Sequence, residues 1–259
     1  MAFHGRVAAV TGGGSGMGQI FARRMADGGA QVAILDVNEA GLRDTKGDRP
    51  NLHVYPCDVG DAAKVNDVIA RIEKDLGPID RVVHAAGIMP AAAVLDDTPE
   101  RMKHLMRVNY EGTVNMIFST LKKMVARGSG DFIVFGSVAA YALTPHLGAY
   151  CATKAAVNAL MEVIIMENQD CGVRIHLTCP PMVKTPLLKQ AFDTSPPKSL
   201  QKGLDRNIAA DPSEIVENIE KAIEKGQAIS YPSPMAKGLY SMRRLSPSLL
   251  WKIILREEA

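Results

Sequence analysis

The chain has 259 residues, enough for one large domain or two small ones with an ample core. Hydrophobic residues make up 47% and charged residues 22%, the balance of an ordinary globular protein. With a net charge of +2, 5% aromatic residues and no basic block interleaved with aromatics, nucleic acid is not an expected partner.

The N-terminal run MAFHGRVAAVTGGG has no basic stretch followed by a long apolar one, so a secretory leader is not expected. No apolar run is long enough to cross a bilayer. The four cysteines, Cys57, Cys151, Cys171 and Cys179, form no CxxC pair and no metal-ligand spacing. They read as small buried hydrophobes in a reducing compartment, so no metal is expected and the cytoplasm is the expected location. Cys151 lacks the His or acidic neighbour that a reactive thiol would need.

Continuous apolar or β-branched runs predict strands at 6–11, 31–36, 52–59, 80–86, 131–137 and 173–179, with a seventh near AISYP. Their lack of alternation suits strands covered on both faces. Helical patterns fall between them at 17–28, 61–77, 98–128, 148–169 and 211–226. The last is well marked: Asp211 suits the N-cap, Pro212 the first position, and Gly226 the end. Such alternation predicts an α/β fold: a doubly wound, mostly parallel, Rossmann-like sheet with helices on both faces, in one domain spanning 1–259. Residues 185–210 break the pattern with short helical pieces and Pro196-Pro197. They read as a mobile insertion at the carboxyl edge of the sheet, where ligands bind in such folds.

Strand one runs into VTGGGSGMG, with glycines at 12, 13, 14, 16 and 18, and a helix follows. Glycine lets backbone amides approach a pyrophosphate, and the helix N-terminus adds a positive dipole end. A flexible turn is the plain alternative, but the strand–loop–helix context favours a nucleotide site. Asp36, eighteen residues after Gly18, ends strand two and can accept hydrogen bonds from both ribose hydroxyls. It would repel a 2′-phosphate, and no basic residue lies within 13–17, so NAD is expected rather than NADP.

Tyr150 and Lys154, in GAYCATKAAV, share one face of a predicted helix. Taken alone the pair reads as two snorkelling side chains. Together these motifs resemble the classical short-chain dehydrogenase/reductase family over essentially the whole chain. TGGGSGMG matches its TGxxxGxG, HAAG at 84–87 its NNAG with His84 and Ala85 replacing asparagines, and CDV its adenine-contacting strand end at Asp58. Asn109, Ser137, Tyr150 and Lys154 match its catalytic tetrad. The resemblance implies cofactor contacts from Gly12, Ser15, Gly16, Met17, Gly18, Asp58, Val59, Ala86, Gly87, Pro180, Val183 and Thr185, and from Tyr150 and Lys154. Pro181 stands where the family usually has glycine, and removes an N–H donor. His176 replaces a common asparagine.

On this reading Tyr150 exchanges the proton of an alcohol or ketone oxygen while hydride moves to or from NAD. Ser137 holds that oxygen, and Asn109 holds a water relaying protons from Lys154. Lowering a phenol pKa from ~10 to near 7 needs about 4 kcal/mol. An ammonium ~4 Å away at an effective dielectric of ~20 supplies about that much. The substrate is expected to be a hydrophobic alcohol or ketone, from the apolar set Met89, Pro90, Ala139, Tyr141, Met182, Leu187, Leu188 and Phe192. A non-catalytic NAD-binding scaffold of the same fold is the alternative. The family also implies a homo-oligomer, dimer or tetramer, through the helices at 98–127 and 148–169. The extension 234–259 is basic, amphipathic and holds the only Trp, Trp251. It suits peripheral contact with a membrane, a cap on the pocket, or a subunit interface.

Overall fold

The computed structural model describes residue 3 and residues 5–259. Seven strands form one sheet in the order β3-β2-β1-β4-β5-β6-β7, every neighbouring pair parallel. They are β1 Val7–Thr11, β2 Gln31–Asp36, β3 Leu52–Pro56, β4 Arg81–His84, β5 Gly130–Phe135, β6 Val173–Thr178 and β7 Ile229–Ser230. The strand order reverses between β1 and β4, and the crevice above that point is where ligands enter such sheets.

Helices α1 Gly16–Asp27, α2 Glu39–Lys46 and α10 Pro212–Glu224 belong to one side of the sheet. There Phe21, Met25, Leu42, Ile215 and Ile219 are buried with Val10, Val32, Ile34 and Val83. On the other face, Val65 and Ile69 of α3 Ala62–Leu76 and Val157 and Met161 of α7 Gly148–Glu167 bury with Val82, Phe132 and Val134. Adjacent strand residues thus serve opposite layers, as the pleat requires. Helix α7 is long and apolar enough to span a membrane, but here that composition serves packing on the sheet. Asp131 of β5 ties three strands, accepting from fully buried Arg81 of β4 at 2.6 Å and from Arg174 of β6.

Strands β1 and β2 end where predicted, and β3 to β6 end earlier. Cys57–Val59, Ala85–Ala86 and Ser137 lie in the loops beyond them, which carries these residues to the carboxyl edge. Helix α2, which the sequence pattern does not predict, is short and mostly polar, with Asn38 as its cap accepting from the Gly41 amide. The run predicted as one helix at 98–128 is helical throughout 99–127, with π-helical turns at Arg107–Glu111 and Ile117–Leu121 between its α-helical parts α4 Pro99–Met106, α5 Gly112–Met116 and α6 Lys122–Arg127. Residues 185–210 fold into α8 Pro186–Phe192 and α9 Lys198–Asp205. The C-terminal segment forms two helices, α11 Pro234–Leu245 and α12 Pro247–Glu258.

Candidate active site

The glycine loop leaves β1 with Gly12 at φ +67°, a left-handed conformation that glycine adopts without penalty. A Cβ on Gly12 would sit 2.8 Å from the Ala85 carbonyl carbon, and one on Gly18 would collide with the Gly12 carbonyl oxygen. The loop therefore packs on the β4 end and on its own helix, leaving the first amides of α1 without partners inside the helix. These face a cavity of about 460 Å³ lined by Gly12, Ser15, Gly16, Met17, Gly18, Asp36, Asp58, Val59, Ala86, Gly87 and Thr185. The Asp36 carboxylate accepts from the Gly14 amide at 3.0 Å and the Asn38 amide at 2.9 Å, which fixes it at the cavity wall. Asp58 accepts from the Gly60 amide and pairs with Arg107 at 2.9 Å. Arg107 also lines the cavity, a cation that the motifs do not reveal because it comes from the distant π-turn. A long groove of exposed amides and glycines, closed by an acid, fits a dinucleotide.

A second cavity of about 430 Å³ adjoins the first, sharing Met17, Ala85, Gly87, Thr185 and Leu187. Ser137, Tyr150, Lys154, Pro180 and Val183 line it. Tyr150 and Lys154 are both buried on α7, with the Lys154 ammonium 5.9 Å from the Tyr150 ring centre. Lys154 donates to the Phe135 carbonyl at 2.7 Å. Ser137 Oγ accepts from the Ala139 amide, so its proton is free for another acceptor. Among the catalytic and cofactor-binding candidates, Asn109 alone lines neither cavity. It sits behind Gly87, donating to Ile88 O and Thr153 Oγ1 and accepting from the Ile88 amide.

The expected depression of the phenol pKa is absent in the free protein. Burial pushes Tyr150 up to about 12, and hydrogen bonding from Ser137 offsets only part of that. Burial also lowers Lys154 to about 8, so its charge is weakly held, and it is directed to a carbonyl rather than to the phenol oxygen. A full charge ~4 Å away in a solvated setting would lower the phenol pKa; here desolvation of both groups acts the other way.

His84, the departure from NNAG, has a defined job. Its Nδ1 lies 2.7 Å from Thr11 Oγ1 and its Nε2 3.1 Å from Thr113 Oγ1, while Thr113 donates to the Asn109 carbonyl. Thr113 has given its proton to Asn109, so the imidazole must donate from Nε2 and accept at Nδ1. Burial holds its pKa down to about 3, keeping it neutral. The chain links the glycine-loop strand to the π-turn that presents Asn109. His176 is likewise buried, bridging β6 to Gln227 O and Ser230 Oγ.

Of the apolar set, Met89, Ala139, Met182, Leu187 and Leu188 line the second cavity. Pro90, Tyr141 and Phe192 do not; Tyr141 instead packs with Tyr231 and Tyr240 and donates to Glu162. The far wall comes from residues with no motif: Leu200, Arg206, Leu239, Leu250, Ile253, Ile254 and Glu257. Helix α8 is fastened over the cavity by side chains. Gln190 and Thr194 accept from the Met89 and Ala91 amides at 2.8 Å. Helix α12 is fastened in turn. Glu258 accepts from the Lys198 and Ser199 amides, and Glu257 pairs with Arg206 at 3.0 Å. The pocket-cap alternative for the C-terminal segment thus has direct contacts.

The short-chain dehydrogenase family model matches residues 6–196, and the chain belongs to that family. Over 96% of its length it is 31% identical to "Probable oxidoreductase EphD" of Mycobacterium tuberculosis, but it spans only 44% of that protein. It is 33% identical over 216 residues to the D-threitol dehydrogenase of Mycolicibacterium smegmatis, covering 82% of this chain and 83% of that one. A short-chain dehydrogenase/reductase from Burkholderia phymatum in complex with NAD has the same fold, with a TM-score of 0.83, 22% identity and 96% of each chain covered. A further structure of this fold carries NADPH.

Proposed function

We propose that the protein is an NAD-dependent dehydrogenase interconverting an apolar secondary alcohol and its ketone. The observation that carries this reading is the placement of Tyr150, Ser137 and Lys154 where a dinucleotide groove meets a mostly apolar cavity. Bound in the groove, the nicotinamide ring supplies the hydride acceptor or donor. Asp36 selects NAD, because its carboxylate faces the ribose end with no cation in the 13–17 loop to offset a 2′-phosphate. Ser137 orients the substrate oxygen. Tyr150, protonated at neutral pH, donates to a ketone oxygen. In the oxidative direction it must lose that proton, so alcohol oxidation rises with pH through the neutral and alkaline range. Lys154, which donates to the Phe135 carbonyl in the free protein, would hold the ribose hydroxyls of the bound dinucleotide and support the charge of the phenolate. The apolar wall from α9, α11 and α12 suits a long-chain or polycyclic alcohol.

The enzyme is proposed to be cytoplasmic, in keeping with four free cysteines, and homo-oligomeric. Phe118 in the second π-turn and Met166 at the end of α7 are exposed, as a paired-helix interface would require. Reduced-dinucleotide absorbance with long-chain, sterol and small polar alcohols tests the reading. NADH formation confined to the apolar alcohols is expected. No turnover with any alcohol or ketone, despite NAD binding, would favour the scaffold alternative.

A further inference from the structure

Helix α12 has two apolar sides, and only one is used. Leu250 is 1% exposed and points into the second cavity with Ile254. Trp251 and Leu255, one turn apart on another side, are 56% and 61% exposed, and Leu245 at the end of α11 is 85% exposed. Lys252 and Arg256 are exposed on the same outer surface and make no ion pair among the described residues. Residues 225–256 contain six Lys or Arg and no Asp or Glu. The two acids that close the helix, Glu257 and Glu258, are turned inward onto α9 and spend their charge there. What faces outward is therefore apolar and cationic, with no local counter-charge.

We infer that this outer face docks on an anionic lipid bilayer, with Trp251, Leu255 and Leu245 entering the interface and Lys252 and Arg256 meeting the headgroups. A protein partner would need acids placed to match two lysine and arginine tips; an anionic bilayer offers that charge everywhere, and long basic side chains snorkel to it naturally. Since the inner side of the same helix walls the substrate cavity, docking sets that cavity against the reservoir in which apolar alcohols partition. That placement of the cavity against the lipid rests on the dehydrogenase reading; the docking itself does not.

Trp251 is the only tryptophan, so its emission reports the contact directly. The full chain is titrated with phosphatidylcholine vesicles with and without phosphatidylglycerol at low salt, and flotation is measured in parallel, without cofactor or substrate. A blue shift and flotation that need phosphatidylglycerol, and that added salt reverses, are expected. Lys252→Glu/Arg256→Glu should bind at least about tenfold more weakly while turning over a short soluble alcohol as before. Lys252→Gln/Arg256→Gln gives the same comparison should charge reversal disturb folding. No flotation of wild type, or equal flotation of the variants, overturns the inference. So does a tryptophan already blue-shifted without lipid in a protein that self-associates, because a second copy would then cover the face. Flotation without any alcohol turnover would leave docking standing and remove the dehydrogenase reading alone.

Discussion

The two cavities are of similar size but are built differently. The dinucleotide groove is made of backbone: glycines where a Cβ would collide with neighbouring atoms, amides at the start of α1, and one carboxylate held by two amides. Its substrate neighbour is made mostly of side chains drawn from seven separate stretches of chain, held over the site by Glu257, Glu258, Gln190 and Thr194. A backbone cradle tolerates almost no change at its glycines, whereas an apolar wall changes what it accepts with each substitution. Chemistry is thus fixed on one side and specificity is adjustable on the other.

The sharpest way to break this division is at the junction. Tyr150→Phe should lower turnover on the order of a thousandfold while NAD binding, followed by calorimetry, stays within about twofold of wild type. Lys154→Ala should lose both, because it serves both cavities. Next comes the groove. Asp36→Ala should erode the NAD over NADP preference in kcat/KM by about ten- to a hundredfold, the worth of hydrogen bonds to a charged group. Equal use of both cofactors by wild type would refute the role of that carboxylate. On the apolar side, Ile254→Ala should raise KM several-fold for long-chain alcohols and leave short ones unchanged, the effect of lost methylene contacts. Unchanged KM for all chain lengths would detach α12 from specificity.

The smallest effect concerns the His84 link between the two. The imidazole is held neutral in the fold with its pKa near 3, against 6.5 when free, so protons favour the unfolded chain as pH falls below 6.5. Stability should drop by about 1 kcal/mol per pH unit from this group, and His84→Asn should remove that part of the slope. Urea unfolding of both proteins between neutral pH and pH 5, where carboxylates remain ionised, measures the difference. Parallel slopes would mean that His84 takes its proton inside the fold.

This contrast also explains how much was legible beforehand. The parallel sheet, its helix layers and the groove follow from local patterns: strands alternating with helices, a glycine loop between β1 and α1, and Asp36 at the end of β2. Every proposed cofactor and catalytic residue except Asn109 lines one of the two cavities. Asn109 acts from behind Gly87, through a π-turn that no periodicity announces. Arg107 and Arg206 carry no motif, because their place at the site depends on packing between remote helices. The pKa of Tyr150 in the free protein depends on packing in the same way: residue spacing gives the distance between two charges but not the desolvation each suffers.

The most direct test of the whole account is isotopic. A long-chain secondary alcohol deuterated at the carbinol carbon is incubated with the protein and NAD, and the reduced cofactor is examined by mass spectrometry. Deuterium carried into the nicotinamide by wild type and lost in Tyr150→Phe is the result the account predicts. Alcohol oxidation with no deuterium in the cofactor, or transfer undiminished in Tyr150→Phe, would contradict it.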